Sequence, residues 1–161
     1  HHSIELLKLR GGSAREFQQL AAELLAADLP REARLLLDKG AYHHPDNPDL
    51  ARLRAIASRR DPQTAESCSR LFREAESLAE AATPGQAAEP GFRVEFAEAL
   101  IADGQSAAAE ERLREAIRQF PADQKPATAA ALRRLAGLWQ ADGRHPEAAR
   151  ALLQRAEALE R

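Results

Sequence analysis

Imidazole and carboxylate side chains are densest at residues 42–49, where the sequence reads YHHPDNPD. Such groups bind zinc and other divalent metals when several of them converge on one point. His43 and His44 are adjacent, however, so they point in different directions on a helix, and no second cluster at a fixed spacing accompanies them. We interpret them as residues at the end of a helix, where an imidazole complements the helix dipole, and we predict neither a metal site nor a cofactor.

Cys68 is the only cysteine, so the chain has no partner for an intrachain disulfide. A nucleophilic thiolate needs a neighbouring base or positive charge, whereas Cys68 has no His at helical spacing and falls within an apolar stripe. We therefore predict a buried structural thiol. The sequence also lacks a phosphate-binding glycine loop, a nucleophile elbow and an HExxH motif, so nothing in it argues for catalysis. We predict no catalytic residues and expect that the chain is not an enzyme.

The charge balance argues against several classes of partner. The formal net charge is −2, whereas a protein that binds a nucleic-acid backbone needs a basic surface. Apolar residues never run for the ~18 positions that a membrane-spanning helix requires. Glu110 and Arg114 have the spacing of neighbours on a solvated helix face. We therefore predict neither a nucleic-acid partner nor membrane insertion.

The chain begins with HHS and without Met, which is typical of the remnant of a purification tag. We assign residues 1–13 to this remnant and to a short N-terminal apolar segment. The sequence therefore does not establish the native N-terminus or whether an export signal precedes it. A cytoplasmic location is favoured, and a periplasmic location is the alternative. Abundant Ala and Arg are typical of a GC-rich bacterial genome.

Composition and periodicity indicate an all-α protein. Ala, Leu, Glu and Arg are abundant and lose little conformational freedom in a helix, whereas β-branched residues are scarce. One apolar stripe recurs, as in Ala109, Leu113 and Ala116, which share a helix face because residues three and four apart are neighbours. Copies of this stripe begin at Ala33, Cys68, Ala109 and Ala148, which are 35, 41 and 39 positions apart.

A second amphipathic helix precedes each copy of the stripe, and residues that break helices separate the two. Gly104 and Gly143 can adopt the left-handed conformation that closes a helix. Asp61 and His145 are each followed by Pro, which is typical of a cap residue and the first helical position. The apolar residues of these first helices are Phe17, Leu20, Ala21 and Leu24; Leu50, Leu53, Ile56 and Ala57; Phe92, Phe96, Ala97 and Leu100; and Leu132, Leu135, Ala136 and Trp139.

A pair of helices with large–x2–large–small in the first and small–x3–large in the second resembles the tetratricopeptide repeat (TPR). The third pair fits best, with Phe96, Ala109, Leu113 and Pro121 in the family-like order. The resemblance implies an all-α fold, a right-handed α-α superhelix (solenoid) of about four stacked helix–turn–helix units in residues 14–161. The units are predicted at about 14–47, 48–84, 90–123 and 129–161, and the connection at 83–91 is either a hinge or an enlarged loop.

The resemblance also implies a function. In this family the first helix of each unit lines a concave face, so we expect a protein–protein interaction scaffold that binds a peptide or helix of a partner there. The Lys/Asn cluster with which some members grip a C-terminal carboxylate is not reproduced, so apolar contact is expected to dominate. The predicted partner-binding residues are Gln18, Ala22, Leu25, Val94, Glu98, Ile101, Arg133, Gly137 and Gln140.

A structural or assembly role is the alternative hypothesis. The last helix carries Leu152 and Leu159 and ends without the polar capping element that usually closes a helical array. Exposed apolar surface of this kind often marks an interface. The chain would then self-associate as a homodimer through this helix, without a ligand in the groove.

Overall fold

The computed structural model describes residue 5, residues 11–86 and residues 88–161. Within these ranges every regular element is a helix, and none of the helices is long and apolar enough to cross a membrane. Residues 1–4 and 6–10, which belong to the predicted tag remnant and apolar segment, lie outside the described residues. The helices of residues 11–161 are α1 (Ala14–Ala26), α2 (Pro30–His43), α3 (Pro48–Arg60), α4 (Ser69–Ala82), α5 (Pro90–Ala102), α6 (Ser106–Gln119), α7 (Lys125–Ala141) and α8 (Pro146–Leu159).

The chain divides into two compact halves, an N-terminal half of residues 1–87 and a C-terminal half of residues 88–161. In the N-terminal half α1 packs against α2 and α3, α2 against α3, and α3 against α4. In the C-terminal half α5 packs against α6, α6 against α7, and α7 against α8. Helices that follow one another in each half are therefore neighbours in space, as expected for consecutive helical hairpins.

Small residues allow close helix packing in the N-terminal half. Phe17 and Ala21 of α1 and Ala33 and Leu37 of α2 belong to one cluster, and all four are fully buried. Gly40 continues the α2 stripe, and a β-carbon at that position would lie only 3.1 Å from the Phe17 ring. The absence of a side chain at Gly40 therefore makes room for the Phe17 ring between the two helices.

The C-terminal half repeats this arrangement. Ala109, Leu113 and Ala116 of α6 are fully buried, and Phe96 and Ala97 of α5 are at most 1% exposed. The predicted stripe and its bulky neighbours thus point into the core. The residues predicted for the apolar side of α7 are also buried, namely Leu132, Leu135, Ala136 and Trp139.

Three first helices end in the same kind of turn. Gly104 after α5 and Gly143 after α7 have positive φ angles of 74° and 64°, as predicted for residues that close a helix. The turn at Gly104 is closed against the end of α5 by a hydrogen bond, which the Gln105 backbone N–H donates to the Leu100 carbonyl at 2.8 Å. After α1, Asp28 takes the left-handed position with a φ of 58°, a conformation that Asp tolerates better than most residues.

The prediction that Asp61 caps a helix beginning at Pro62 is wrong. Asp61 is the C-cap of α3, and α4 begins only at Ser69. The buried Asp61 carboxylate accepts hydrogen bonds from Arg34 Nε at 2.8 Å and from the Gln63 backbone N–H at 3.0 Å. It therefore ties α2 of the first helix pair to the end of α3 and shapes the turn that follows.

Other helix starts differ in detail from the sequence pattern. α5 begins at Pro90, so the last residues of the predicted 83–91 connection are helical. α7 begins at Lys125, ahead of the expected start near residue 129, because Pro126 is well suited to the first turn of a helix. His145 occupies the N-cap of α8 and Pro146 its first turn, as predicted, but the His145 side chain makes no capping hydrogen bond.

Replacing Ala109 with Leu is expected to lower the free energy of unfolding by about 1–3 kcal/mol, because a filled core must accept a larger side chain. Ala107 is exposed in the same helix, so Ala107→Leu is the matched control and should change stability by less than about 0.5 kcal/mol. Urea denaturation measures both variants. Equal stability of Ala109→Leu and the parent chain would contradict the close packing of α5 and α6.

The hydrogen bonds from Arg34 and from the Gln63 N–H hold the pKa of Asp61 below its usual value. Stabilisation by a carboxylate with a depressed pKa is complete above its unfolded-state pKa of about 3.9 and is lost as the pH falls through the lower folded value. We expect Asp61→Asn to lower the free energy of unfolding by about 1.5–3 kcal/mol at neutral pH, with the difference shrinking below about pH 4.

Asp38→Asn is the control for this prediction. The Asp38 side chain also approaches Arg34, at 3.6 Å, and pairs with Arg54 at 2.8 Å, but it is 41% exposed. Its loss should therefore destabilise the chain by less than about 1 kcal/mol. Urea denaturation at neutral and acidic pH compares the two variants, and a destabilisation by Asp61→Asn that does not depend on pH would contradict the role of the ionised carboxylate.

Candidate functional site

The predicted partner-binding residues lie outside the buried stripes of three first helices. We call those of α1 in the N-terminal half the α1 face, and those of α5 and α7 in the C-terminal half the α5–α7 face. Five of them are half-buried, namely Gln18, Leu25, Val94, Glu98 and Ile101, and four are exposed, namely Ala22, Arg133, Gly137 and Gln140.

An ion pair joins the two helices of the α5–α7 face. Arg134 Nε lies 2.9 Å from Oε1 of Glu98, and both side chains remain partly exposed. A cation of the neighbouring first helix thus already neutralises the Glu98 carboxylate. Val94 and Ile101 lie four residues before and three residues after Glu98, so apolar side chains flank the ion pair along α5.

Arg133 is directed to a different neighbour. Its guanidinium pairs with Glu160, which follows α8, and the Nη2 and Oε2 atoms lie 2.7 Å apart. This hydrogen bond raises the pKa of Arg133 and lowers the pKa of Glu160. The residue that reaches α5 is therefore Arg134, which the sequence pattern left out of the site. The opposite charge of Glu98 on the preceding first helix is the signal that could have identified it.

Gly137 leaves the surface of α7 open. Apart from its chain neighbours and the backbone of its own helix turn, no described atom lies within 4 Å of the position that a β-carbon would occupy at this residue. A glycine in a helix interior is less stable than alanine by about 0.5–1 kcal/mol, so nothing in the local helix favours it. The α7 backbone is therefore accessible at Gly137, which is exposed.

The histidines and the cysteine singled out in the sequence occupy structural positions. The His43 ring stacks on Phe17 with the centroids 6.1 Å apart, and His44 Nε2 lies 2.6 Å from the Gly12 carbonyl oxygen. Cys68 is buried immediately before α4. Across the described residues, no group of three or more His, Cys, Asp or Glu side chains is arranged to hold a metal ion.

The last helix uses its apolar face inside the C-terminal half. Leu152 and Leu159 of α8 pack against a buried cluster that includes Ala129 and Leu132 of α7. The two leucines predicted for self-association are therefore already engaged in contacts within their own chain.

Comparison with known proteins supports the fold alone. No family model matches the chain, and no curated protein matches it. Among solved structures, the crystal structure of MamA matches with a TM-score of 0.75 and 13% sequence identity, covering 98% of this chain and 84% of that chain. At this level of identity the likeness shows the fold, which is TPR-like, and it confirms the predicted class of an all-α helical-repeat solenoid.

Gly137→Ala and Gly40→Ala are expected to change stability in opposite directions. Because the space around a β-carbon at position 137 is open, Gly137→Ala should gain helix stability, and its free energy of unfolding should rise by about 0.5–1 kcal/mol. At Gly40 the new β-carbon would crowd the Phe17 ring, so the variant should be less stable than the parent chain. Urea denaturation tests both, and a stabilised Gly40→Ala variant would show that Phe17 does not need this space.

Proposed function

We propose that the chain is a protein-interaction module that binds a peptide or helix of a partner protein on the faces of its first helices. A TPR-like fold, to which the likeness with MamA points, is generally a scaffold for protein binding and not an enzyme. The observation that carries the proposal lies on the α5–α7 face, where Val94 and Ile101 remain partly exposed beside the Glu98–Arg134 ion pair.

Apolar contact is the proposed source of affinity on this face. Covering the remaining exposed area of Val94 and Ile101 removes apolar surface from water, at roughly 25 cal/mol per Å². The charges of Glu98 and Arg134 already compensate each other, so they would orient a ligand more than hold it. The open surface at Gly137 would allow a ligand side chain or backbone to contact α7 directly.

The α1 face has a similar chemical character, and we include it in the proposed binding surface of the N-terminal half. Gln18 offers an amide that can both donate and accept hydrogen bonds, Ala22 leaves room beside it, and Leu25 supplies apolar area. Neutral groups of this kind suit the same class of ligand, an extended or helical segment with apolar side chains.

Self-association through the last helix is the alternative function. Its basis was the apolar side of α8, but Leu152 and Leu159 pack on α7 within the chain. Light scattering over a range of protein concentrations separates the two hypotheses, because the peptide-binding function requires no dimer.

Val94→Asp combined with Ile101→Asp is expected to weaken peptide binding at least tenfold, since two carboxylates would replace the apolar contacts and repel the neighbouring Glu98. A random dodecapeptide library displayed on phage is selected on the parent chain, and the enriched peptides are then titrated by isothermal calorimetry. The measured quantity is the dissociation constant of each peptide for the parent and the double variant.

The matched control, Ala107→Asp with Gln119→Asp, places the same charges on exposed positions of α6, the helix that follows α5. Circular dichroism establishes that both double variants retain their helices. Unchanged peptide affinity in the Val94/Ile101 variant, or an equal loss in the control, would show that the peptides do not bind the α5–α7 face.

A further inference from the structure

A surface cavity of about 380 Å³ lies at the turn that joins α7 to α8. Trp139, Arg144 and Arg150 contribute to its wall, together with the apolar side chains of Pro146 and Leu153. Gln140 of the α5–α7 face also contributes to the wall, so the cavity adjoins that face. Its other wall residues lie outside the α1 and α5–α7 faces.

The Trp139 indole has an unsatisfied hydrogen-bond donor. Only 7% of the residue's surface is exposed, yet its Nε1–H finds no acceptor among the described residues. Its ring contacts the His145 ring, with the centroids 5.3 Å apart, and its centroid lies 5.5 Å from the Arg114 guanidinium. Because buried donors are normally paired, this one is unusual, although the Nε1 atom itself is buried. What Trp139 contributes to the wall is aromatic surface beside Arg144 and Arg150.

The arginines around the cavity are only partly compensated. Arg144 pairs with Asp142 at 2.9 Å and with Glu110 at 3.2 Å, and the same Glu110 carboxylate also pairs with Arg114 at 2.8 Å. Asp142 and Glu110 thus compensate Arg144 and Arg114, and neither carboxylate pairs with Arg150, the remaining arginine of the wall.

Arg150 forms no ion pair with any described residue, although Glu147 lies only three positions before it in α8. Its side chain is exposed and lines the cavity. Arg150 therefore leaves a positive charge on the wall that an anionic group from outside the chain can complement.

We propose that this cavity binds an acidic side chain and an adjacent apolar side chain of a partner protein segment. The carboxylate pairs with Arg150 beside the Trp139 indole, and the apolar side chain covers Leu153 and Pro146. Charge complementarity and the mixed polar and apolar wall support an occupant of this kind. The inference does not depend on the proposed function of the first-helix faces.

The sole tryptophan of the chain lies in this wall, so its intrinsic fluorescence reports binding directly. The probe is a blocked pentapeptide that alternates leucine and glutamate, and its matched control replaces each glutamate with glutamine. We expect a saturable change in Trp139 emission with the glutamate peptide only, and a weaker change at high ionic strength. No saturable change, or an equal response to the glutamine peptide, would overturn the proposal.

Variants of single arginines test whether Arg150 is the residue that pairs with the glutamate side chains of the peptide. Arg150→Gln should weaken binding of the glutamate peptide at least fivefold, while Arg155→Gln, an exposed residue of the same helix outside the cavity wall, should leave it unchanged. The Val94/Ile101 double variant should also bind normally, which separates this site from the α5–α7 face.

Sodium acetate and sodium phosphate test whether a peptide is required. If either salt reproduces the saturable Trp139 response at the concentrations of the peptide, the cavity is a small-anion site and the proposal of a peptide segment is wrong. Equal peptide binding by Arg150→Gln and the parent chain would likewise overturn it.

Discussion

The structure depends on the close approach of paired helices at positions where a side chain is very small or absent. Ala33 and Gly40 provide such positions in α2, and Ala109 and Ala116 provide them in α6. Since protein interiors pack as densely as organic crystals, a bulky ring such as that of Phe17 fits only where its neighbour leaves room. Packing at these positions selects one arrangement of helices, whereas helix propensity alone would stabilise many.

This constraint explains why the fold was accessible from the sequence. The small–large–small stripe follows from helix geometry over a few residues, and the left-handed turns at Gly104 and Gly143 are set by their own backbone angles. Both signals are local, and they recur because the two helices of each pair pack against each other in the same way. The all-α class and the helical-repeat fold could therefore be predicted from the sequence.

Polar side chains were harder to place because their partners are distant in sequence. Asp61 precedes Pro62 and so matches a local helix-start pattern, but its carboxylate is engaged by Arg34, 27 positions earlier. Arg133 and Arg134 are adjacent residues of the same type, yet Arg133 pairs with Glu160 and Arg134 pairs with Glu98. Which of two adjacent cations faces a neighbouring helix depends on the rotation of that helix in the packed structure, which the pattern does not fix.

The distribution of charge gives the two proposed binding surfaces of the C-terminal half different electrostatic properties. On the α5–α7 face, Arg134 compensates Glu98, so a ligand bound there as proposed would gain little from electrostatics and would rely on the apolar area of Val94 and Ile101. At the turn between α7 and α8, Arg150 has no carboxylate partner in the described chain, so an incoming anion can add an interaction instead of replacing one. Binding at the turn should therefore respond to salt far more than binding on the α5–α7 face, because salt screens the attraction between exposed Arg150 and an incoming anion, whereas apolar contact involves no such attraction.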